Sequence, residues 1–146
     1  MMFYGEYEHT IDRKGRLIVP AKFRQVLEER SETSLFVTQG LDTCLFLFPE
    51  SEWRQIESRF KDMPFTKGEV RKFSRQFFGK AAEVHVDSLG RLLLPRMLRD
   101  LAGITGPVVL LGVSNRIEVW AKATWQSFDE SSRSSFEEVA ERIMLE

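Results

Sequence analysis

The stretch "IDRKGRLIVPAKFR", residues 11–24, has a similar counterpart later in this chain. A second copy, "VDSLGRLLLPRMLR", covers residues 86–99, at an offset of 75 positions. Positions identical between the two copies are Asp12/Asp87, Gly15/Gly90, Arg16/Arg91, Leu17/Leu92, Pro20/Pro95 and Arg24/Arg99. Further identities, at an offset of 72 after a deletion of three residues, are Gly40/Gly112 and Trp53/Trp125. Self-similarity at a fixed period indicates an internal duplication.

Both copies predict the same order of secondary structure. A short strand, "YEHTI" or "AEVHV", leads into a turn that opens with Asp and closes with Gly, "DRKG" or "DSLG". An aspartate side chain favours the first position of a type I turn, and glycine accepts the positive φ that follows. A buried strand, "RLIVP" or "RLLLP", ends at proline, which suits the first turn of a helix. Each copy closes with a β-hairpin, "SLFVTQGLDTCLFLF" or "PVVLLGVSNRIEVW".

The helix predicted after each proline has one apolar stripe, in which apolar residues recur at i, i+3 and i+4. The stripe residues are Phe23, Val26 and Leu27 in the first copy and Leu98, Leu101 and Ala102 in the second. The cations that lie off the stripe, and that we expect to face solvent, are Lys22, Arg24, Arg96 and Arg99. One copy alone has too few residues to bury its apolar strands, so we expect both copies to close around a single core.

More helices are predicted between and after the copies, and their apolar stripes are typical of packing surfaces. The residues at helical spacing are Trp53, Ile56, Phe60 and Met63, then the run 68–79, and in the tail Phe136, Val139, Ala140 and Ile143. The run "SSRSS", residues 131–135, is predicted as a loop. The cations of the linker helix, expected to form a solvated face, are Arg71, Lys72 and Arg75.

Charge is unevenly distributed along the 146 residues, although the formal net charge is only −1. Residues 1–26 carry five cations against three anions, and residues 67–99 carry eight against three. The rest of the chain has eight cations and sixteen anions. Both copies of the motif are therefore basic, which indicates an anionic partner on one face of the molecule.

The composition is that of a soluble globular domain, with 42% hydrophobic and 29% charged residues. The single cysteine, Cys44, excludes an internal disulfide and agrees with a reducing cytoplasm. The first ten residues, "MMFYGEYEHT", lack the basic head and apolar run of a signal peptide. No window approaches 18 apolar residues, so we expect a cytoplasmic protein without a membrane span.

The opening "MFYGEYEHTIDRKGRLIVPAKFR", the linker "RKFSRQFFGKAAEVHVDSLGRLLLP" and the two D-x-x-x-R units resemble the MraZ family, over about residues 2–125. This resemblance implies an α+β fold, a double-split β-α-β swapped-hairpin barrel built from two SpoVT/AbrB-type repeats, with peripheral linker and C-terminal helices. The expected division is a first repeat at 5–51, a helical linker at 52–80, a second repeat at 81–124 and a C-terminal helix at 125–146.

The resemblance also implies a function. Members of the family are transcriptional regulators, here expected to repress, that bind G-containing direct repeats in double-stranded DNA upstream of cell-division and cell-wall genes. It further implies a ring-like homo-oligomer, located in the cytoplasm and associated with the nucleoid, that needs no cofactor and no metal. Because each chain has few basic residues, joining several chains across repeated half-sites would raise the effective concentration of each contact.

The turn cations are the candidate DNA-binding residues. The planar fork of arginine matches phosphate oxygens and the O6/N7 edge of guanine, which makes Arg16 the first candidate. The candidate DNA contacts are Arg13, Lys14, Arg16, Arg91, Lys22 and Arg24. The residues expected to shape the two turns are Asp12, Gly15, Asp87 and Gly90. The second turn has Ser88 and Leu89 in place of two cations, so we expect the first turn to contribute more of the affinity.

Two other classes of function, an enzyme and a protein-interaction module, are the alternatives to DNA binding. An enzyme is not indicated, because the only histidines, His9 and His85, occupy different repeat positions and no nucleophile, P-loop or dinucleotide motif is present. A metal site lacks ligands at suitable spacing. The remaining alternative is a protein-interaction module of the same fold, such as an antitoxin-like protein whose helical tail binds a partner.

Overall fold

The computed structural model describes residues 2–145. Pro20 and Pro95 stand immediately before the helices Ala21–Glu29 and Arg96–Leu101, as expected of a residue that cannot continue a strand ladder. The strands are β1 (Phe3–Thr10), β2 (Arg16–Ile18), β3 (Ser34–Gln39), β4 (Leu45–Pro49), β5 (Ala82–His85), β6 (Arg91–Leu93), β7 (Pro107–Ser114) and β8 (Ile117–Ala121). The helices are α1 (Ala21–Glu29), α2 (Glu50–Lys61), α3 (Gly68–Phe77), α4 (Arg96–Leu101), α5 (Lys122–Arg133) and α6 (Phe136–Met144).

The described strands form two antiparallel sheets. One sheet has six strands in the order β1-β7-β8-β4-β3-β5, and the other is the pair β2-β6. The larger sheet ends at β1 and β5 and does not close on itself. The predicted α+β class is therefore confirmed, whereas closure of the strands into a barrel is not.

The two copies are related by a local twofold axis. Leu17 pairs with Leu92 at the centre of the β2-β6 ladder, and these two residues are 75 positions apart, the offset of the repeat. Phe46 pairs with Glu118 at the centre of the β4-β8 ladder, which is the offset of 72 found in the hairpins. A residue that faces its own equivalent across an antiparallel ladder lies on a twofold axis. The strand pairing therefore supports the duplication.

The copies also exchange strands. The first strand of the chain, β1, pairs with the hairpin strand β7 of the second copy. In return β5, which opens the second copy, pairs with β3 of the first. Neither copy completes a sheet by itself, so the prediction of one shared core is confirmed by the pairing and by the mixed set of buried residues.

The shared core lies between the helices α1 and α4, the β2-β6 pair and one face of the large sheet. Leu17 and Leu92 are 0% and 1% exposed and sit with Phe23, Leu98 and Leu110 in one cluster. Complete burial of a leucine side chain contributes about 1.5–3 kcal/mol. The apolar strand "RLIVP" and its copy therefore tie both halves to the same interior.

An aromatic layer covers the other face of the large sheet. Trp53 of α2 stacks on Phe36 at an interplanar angle of 1° and on Phe77 of α3 at 17°. Its repeat equivalent Trp125, on α5, packs instead against Trp120, with ring centroids 5.3 Å apart. The helices that follow each hairpin thus cover the outer face of the sheet, and the predicted packing role of the α2 stripe is confirmed at Trp53.

Several local expectations are wrong. The run 131–135 is not a loop throughout, because α5 continues to Arg133 and an i,i+4 ion pair joins Asp129 to Arg133 at 2.6 Å. Leu101 is 38% exposed rather than buried, since α4 is so short that only Leu98 and the following Ala102 reach the core.

The hairpin turns differ in length by one residue. Gln39 pairs with Leu45 in the first hairpin, and Gly112 pairs with Ile117 in the second. The register therefore equates Gly112 with Gln39, and the predicted match of Gly40 with Gly112 is wrong by one position. The longer first turn accommodates Asp42 and Thr43 at φ 64° and 71°.

The stripe of the tail helix is exposed instead of packed. Phe136 and Ile143 of α6 are 70% and 69% exposed, and no residue of this helix is buried. The predicted domain division at 51/52, 80/81 and 124/125 stays a prediction. No helix within residues 2–145 is both long and apolar enough to cross a membrane.

We expect Leu17→Ala to lower the free energy of unfolding by about 2–5 kcal/mol, because it removes buried methyl groups next to the twofold axis. The neighbouring Ile18, 44% exposed, provides the control Ile18→Ala, which should cost far less. Urea unfolding followed by circular dichroism measures both. A single transition that moves as a whole is expected for one shared core, and two separate transitions would contradict it.

Candidate functional site

The two D-x-x-x-R turns, called turn 1 (residues 12–16) and turn 2 (residues 87–91), have the same internal hydrogen bonds. Asp12 Oδ1 accepts from the backbone N–H of Lys14 at 2.9 Å and of Arg16 at 2.8 Å. Asp87 Oδ1 accepts from the N–H of Leu89 and of Arg91, both at 2.9 Å. The fourth residue of each turn is glycine, at φ +84° and +80°. The aspartates and glycines thus shape the turns, as the sequence predicts.

Each turn aspartate also holds the arginine that follows the turn. Arg16 Nε donates to Asp12 Oδ2 at 2.7 Å, and Arg91 Nε donates to Asp87 Oδ2 at 3.0 Å. The arginine side chains are 33% and 27% exposed. Their terminal Nη groups have no further hydrogen bond within residues 2–145. The carboxylate therefore fixes the guanidinium through one edge and leaves the other donors free.

The carboxylates stay ionised in this arrangement. The pKa of Asp12 is lowered, mainly by the hydrogen bond from the backbone N–H of Arg16 and further by the side chain of Arg16 and the N–H of Lys14. The pKa of Asp87 is lowered in the same way, mainly by the backbone N–H of Arg91. A carboxylate that accepts several N–H donors favours its charged form.

Each turn rests on the helix of the other repeat. A Cβ at Gly15 would lie 2.7 Å from Cζ of Arg99, and a Cβ at Gly90 would collide with the guanidinium of Arg24. Both turn carbonyls accept hydrogen bonds across the axis, Gly15 O from Leu94 N at 2.9 Å and Gly90 O from Val19 N at 2.8 Å. The exchange of strands thus places α4 beside turn 1 and α1 beside turn 2.

All four helix cations were predicted to face solvent, and for two of them this prediction is wrong. Arg24 and Arg99 are half-buried, because their side chains lie across the turn glycines of the opposite repeat. Arg99 Nε donates to Leu94 O at 3.0 Å. Arg24 Nε is buried without a hydrogen-bond partner within residues 2–145. Both residues therefore brace the turns.

The predicted DNA-binding residues fall into three places. Arg13 and Lys14 are exposed on turn 1, and neither side chain has an ion pair in the part of the chain described here. Arg24 lies beside turn 2, although it follows turn 1 in the sequence. Lys22 is exposed next to the cavity lined by Tyr4 and Tyr7. Sequence proximity to turn 1 is therefore a poor guide to position in space.

The linker-helix cations are exposed, in agreement with a solvated face. Arg71 Nη1 donates to the carbonyls of Phe65 and Thr66, at 3.1 and 2.8 Å, so it holds the loop before α3.

Two residues beside turn 1, Arg96 and Arg99, were not among the site residues predicted from the sequence. Arg96, the first residue of α4, lines the same groove as Asp12 and Arg13. Its repeat equivalent is Ala21, so the motif comparison shows no shared cation there. The exchange of helices between turns is the only signal that would have indicated it, and that exchange is a property of the fold.

Histidine, cysteine and carboxylate side chains are the other groups that could bind a metal or react. Within residues 2–145 no group of three or more histidine, cysteine, aspartate or glutamate side chains could hold a metal ion. Burial raises the pKa of the Cys44 thiol to about 12, so the residue is not a reactive thiolate. His85 Nδ1 lies 3.4 Å from Ser34 Oγ.

The fold and the two turns define a class of protein. It is a two-repeat α+β molecule in which the β2-β6 ladder holds two arginine-bearing turns around one axis. A sequence model of the family described as "MraZ protein, putative antitoxin-like" matches residues 2–76 and again residues 77–146. The chain is 47% identical to "Transcriptional regulator MraZ" from Desulforamulus reducens over 143 residues, 98% of each chain. The chain therefore belongs to the MraZ family.

The turn aspartates should make stability depend on pH. A carboxyl whose folded-state pKa is lowered stabilises the fold fully above its unfolded pKa, near 3.8 for Asp12, and loses that contribution as the pH falls toward the folded value. We expect Asp12→Asn to be less stable than the wild type at pH 6 and closer to it at pH 3. The control is Asp62→Asn, at an exposed residue without an ion pair within residues 2–145. An unfolding difference for Asp12→Asn that is equal at both pH values would contradict the lowered pKa.

Replacing a turn glycine should weaken the brace from the other repeat. Gly15→Ala places a side chain at φ +84° and against the Arg99 guanidinium, so we expect a loss of at least about 1–2 kcal/mol in unfolding free energy. Gly106→Ala is the matched control, because a Cβ there meets nothing within 4 Å. Thermal unfolding compares the two. Equal unfolding midpoints for the two variants would show that neither the positive φ of Gly15 nor its contact with Arg99 lowers the stability of Gly15→Ala.

Proposed function

We propose that this chain is a sequence-specific DNA-binding transcriptional regulator that represses its target promoter. The observation that supports it most is the state of Arg16 and Arg91. Each is hydrogen-bonded to its turn aspartate through Nε, and its Nη donors have no hydrogen bond within residues 2–145. The name of the relative from Desulforamulus reducens agrees with this proposal.

Some residues of the turns would position the protein on the duplex, and others would recognise the base sequence. Exposed Arg13 and Lys14 suit phosphate oxygens, which set the position of the protein on the duplex. The Nη edge of Arg16 suits guanine, because a guanidinium can donate to O6 and N7 together. Asp12 and Asp87 would not touch DNA, since a carboxylate beside a phosphate is repelled. They would instead hold the arginines in the binding conformation before DNA arrives.

Binding to repeated sites would compensate for the small number of cations. With a net charge of −1, one chain has little general attraction for DNA. A homo-oligomer, ring-like as the family resemblance implies, would engage G-containing direct repeats with several turns at once. We place this activity in the cytoplasm, at the nucleoid, on promoters of cell-division and cell-wall genes, without a cofactor. The swapped-hairpin arrangement of the two repeats belongs to the same proposal.

A footprint of the purified protein on the DNA upstream of its own gene tests the proposal. Arg16→Ala should fold with an unchanged circular dichroism spectrum and lose the footprint. Arg59→Ala, at an exposed residue of α2 without an ion pair within residues 2–145, removes the same charge and should keep it. Arg16→Lys keeps the charge but not the fork, so we expect it to resemble Arg16→Ala.

Salt provides a second readout of the same binding. The logarithm of the binding constant should fall by about 0.9 per neutralised phosphate for each tenfold rise in salt. No footprint at any salt concentration would contradict the proposal. An Arg16→Ala protein that no longer folds would show that this arginine is structural.

The antitoxin-like alternative has one observation in its favour. The exposed apolar side chains of α6 include Phe136 and Ile143, and the family description itself contains the word antitoxin. A stoichiometric second protein that co-purifies with the chain, with no DNA retained, would favour this alternative over DNA binding.

A further inference from the structure

Each turn borders an open groove formed together with the helix of the other repeat. The groove beside turn 1 has a volume of about 370 Å³ and lies between turn 1 and α4. The groove beside turn 2 has a volume of about 310 Å³ and lies between turn 2 and α1. The two grooves are equivalent under the local twofold axis, since Arg99 lines one where Arg24 lines the other. They will be called groove 1 and groove 2.

The charges of the two grooves are opposite. Groove 1 contains three guanidinium groups and two carboxylates, which belong to Arg13, Arg96, Arg99, Asp12 and Asp100. Groove 2 contains one guanidinium and three carboxylates, which belong to Arg24, Glu28, Glu32 and Asp87. The difference arises in part at repeat-equivalent positions, where Arg13 stands against Ser88 and Arg96 against Ala21. Glu28 and Glu32 add further carboxylates to groove 2.

The carboxylates of groove 1 are largely neutralised from within. Asp12 is held by Arg16 and by two backbone N–H groups. Asp100 Oδ2 lies 4.0 Å from Arg96 Nε, and both side chains are mostly exposed, at 73% and 86%. Arg99 uses Nε for Leu94 O, and Arg13 has no partner within residues 2–145. The unpaired donors of groove 1 are therefore those of Arg13 and the terminal groups of Arg96 and Arg99.

We propose that groove 1 binds a backbone phosphate of the DNA, and that α4 of the second repeat supplies Arg96 and Arg99 to it. This inference rests on the proposed DNA binding and adds to it a phosphate site that the sequence motif does not contain. Because the groove is open and two of its arginines, Arg13 and Arg96, are exposed, it suits a phosphate in a passing backbone rather than an enclosed free anion. In groove 2, Asp87 is paired with Arg91 and Glu32 with Arg30, so Glu28 supplies the repulsion of the backbone and Arg24 is the single guanidinium of its lining.

The two turns of one chain are consequently unequal in a way that the motif alone does not show. Turn 1 binds with its own cations and with those of α4. Turn 2 has Ser88 and Leu89 in place of cations, and α1 places Glu28 beside it. The contribution of the first repeat to affinity thus depends on arginines of the second repeat.

The test uses a matched pair of substitutions in the full-length protein. Arg96→Ala gives groove 1 the residue that the first repeat has at this position, and Ala21→Arg gives α1 the missing arginine. Fluorescence anisotropy is measured over a range of salt concentrations, on the duplex from upstream of its own gene and on an unrelated duplex of equal length. Both positions are exposed, so unfolding midpoints should stay unchanged.

We expect Arg96→Ala to weaken binding to both duplexes by the same factor, roughly eightfold per engaged chain at about 0.1 M salt, and to reduce the salt slope by about 0.9. Ala21→Arg should strengthen binding and increase the slope. Equal effects on both duplexes are the signature of a phosphate contact, because the backbone does not depend on sequence.

Three outcomes would overturn the inference. Unchanged affinity and slope for Arg96→Ala, while Arg16→Ala still abolishes the footprint, would remove groove 1 and leave the proposed function intact. A loss confined to the specific duplex would mean that Arg96 contacts a base instead. Saturable binding of inorganic phosphate alone in a calorimetric titration, lost in Arg96→Ala, would identify a free anion as the ligand. A wild-type protein that binds neither duplex would instead refute the proposed function itself.

Discussion

The pairing of Leu17 with Leu92 across the β2-β6 ladder is the contact on which the rest of the molecule depends. Both side chains are fully buried, and each belongs to the strand that directly follows a turn. Burial of these strands against a common interior joins the two repeats and sets the separation of the turns at the same time. A turn cannot shift relative to its partner without opening the core. Packing therefore determines the position of Arg16 relative to Arg91. No further conformational entropy is lost in setting their separation when a ligand binds.

Within each turn, the aspartate determines what the arginine can do. A free arginine side chain loses rotamer entropy when it is fixed on a partner. Arg16 loses this entropy during folding, because the carboxylate of Asp12 holds its Nε and also orders the backbone of the turn. Its negative charge is shared among N–H donors and a guanidinium, so its repulsion of a phosphate is reduced. Each turn aspartate thus orders the backbone of its turn and holds the arginine that follows it.

The repeat, the order of elements, the turns and the helix stripes could be predicted from the sequence, because each is a local pattern of polarity or of turn-forming residues. The sequence could not show which repeat each helix would contact. Arg24 follows turn 1 in the chain but touches turn 2, since β1 and β5 exchange partners across the axis. Arg96 was missed for the same reason. The exposure of α6 was also unpredictable, because periodicity identifies an apolar face without showing what covers it. The open edge of the large sheet depends on strand pairing between distant segments, which a local pattern does not show.

The inequality of the two grooves bears on how the molecule would meet a duplex. A molecule with strict twofold symmetry presents the same surface in both directions along DNA, and such a surface fits an inverted repeat. Here the strand pairing follows the axis while the charges do not, because Arg13 and Arg96 stand where the other repeat has Ser88 and Ala21. The two orientations on DNA then differ in energy. On the proposed direct repeats, a chain with a preferred orientation could be placed repeatedly in the same sense, so the unequal charges of the two repeats would suit that arrangement.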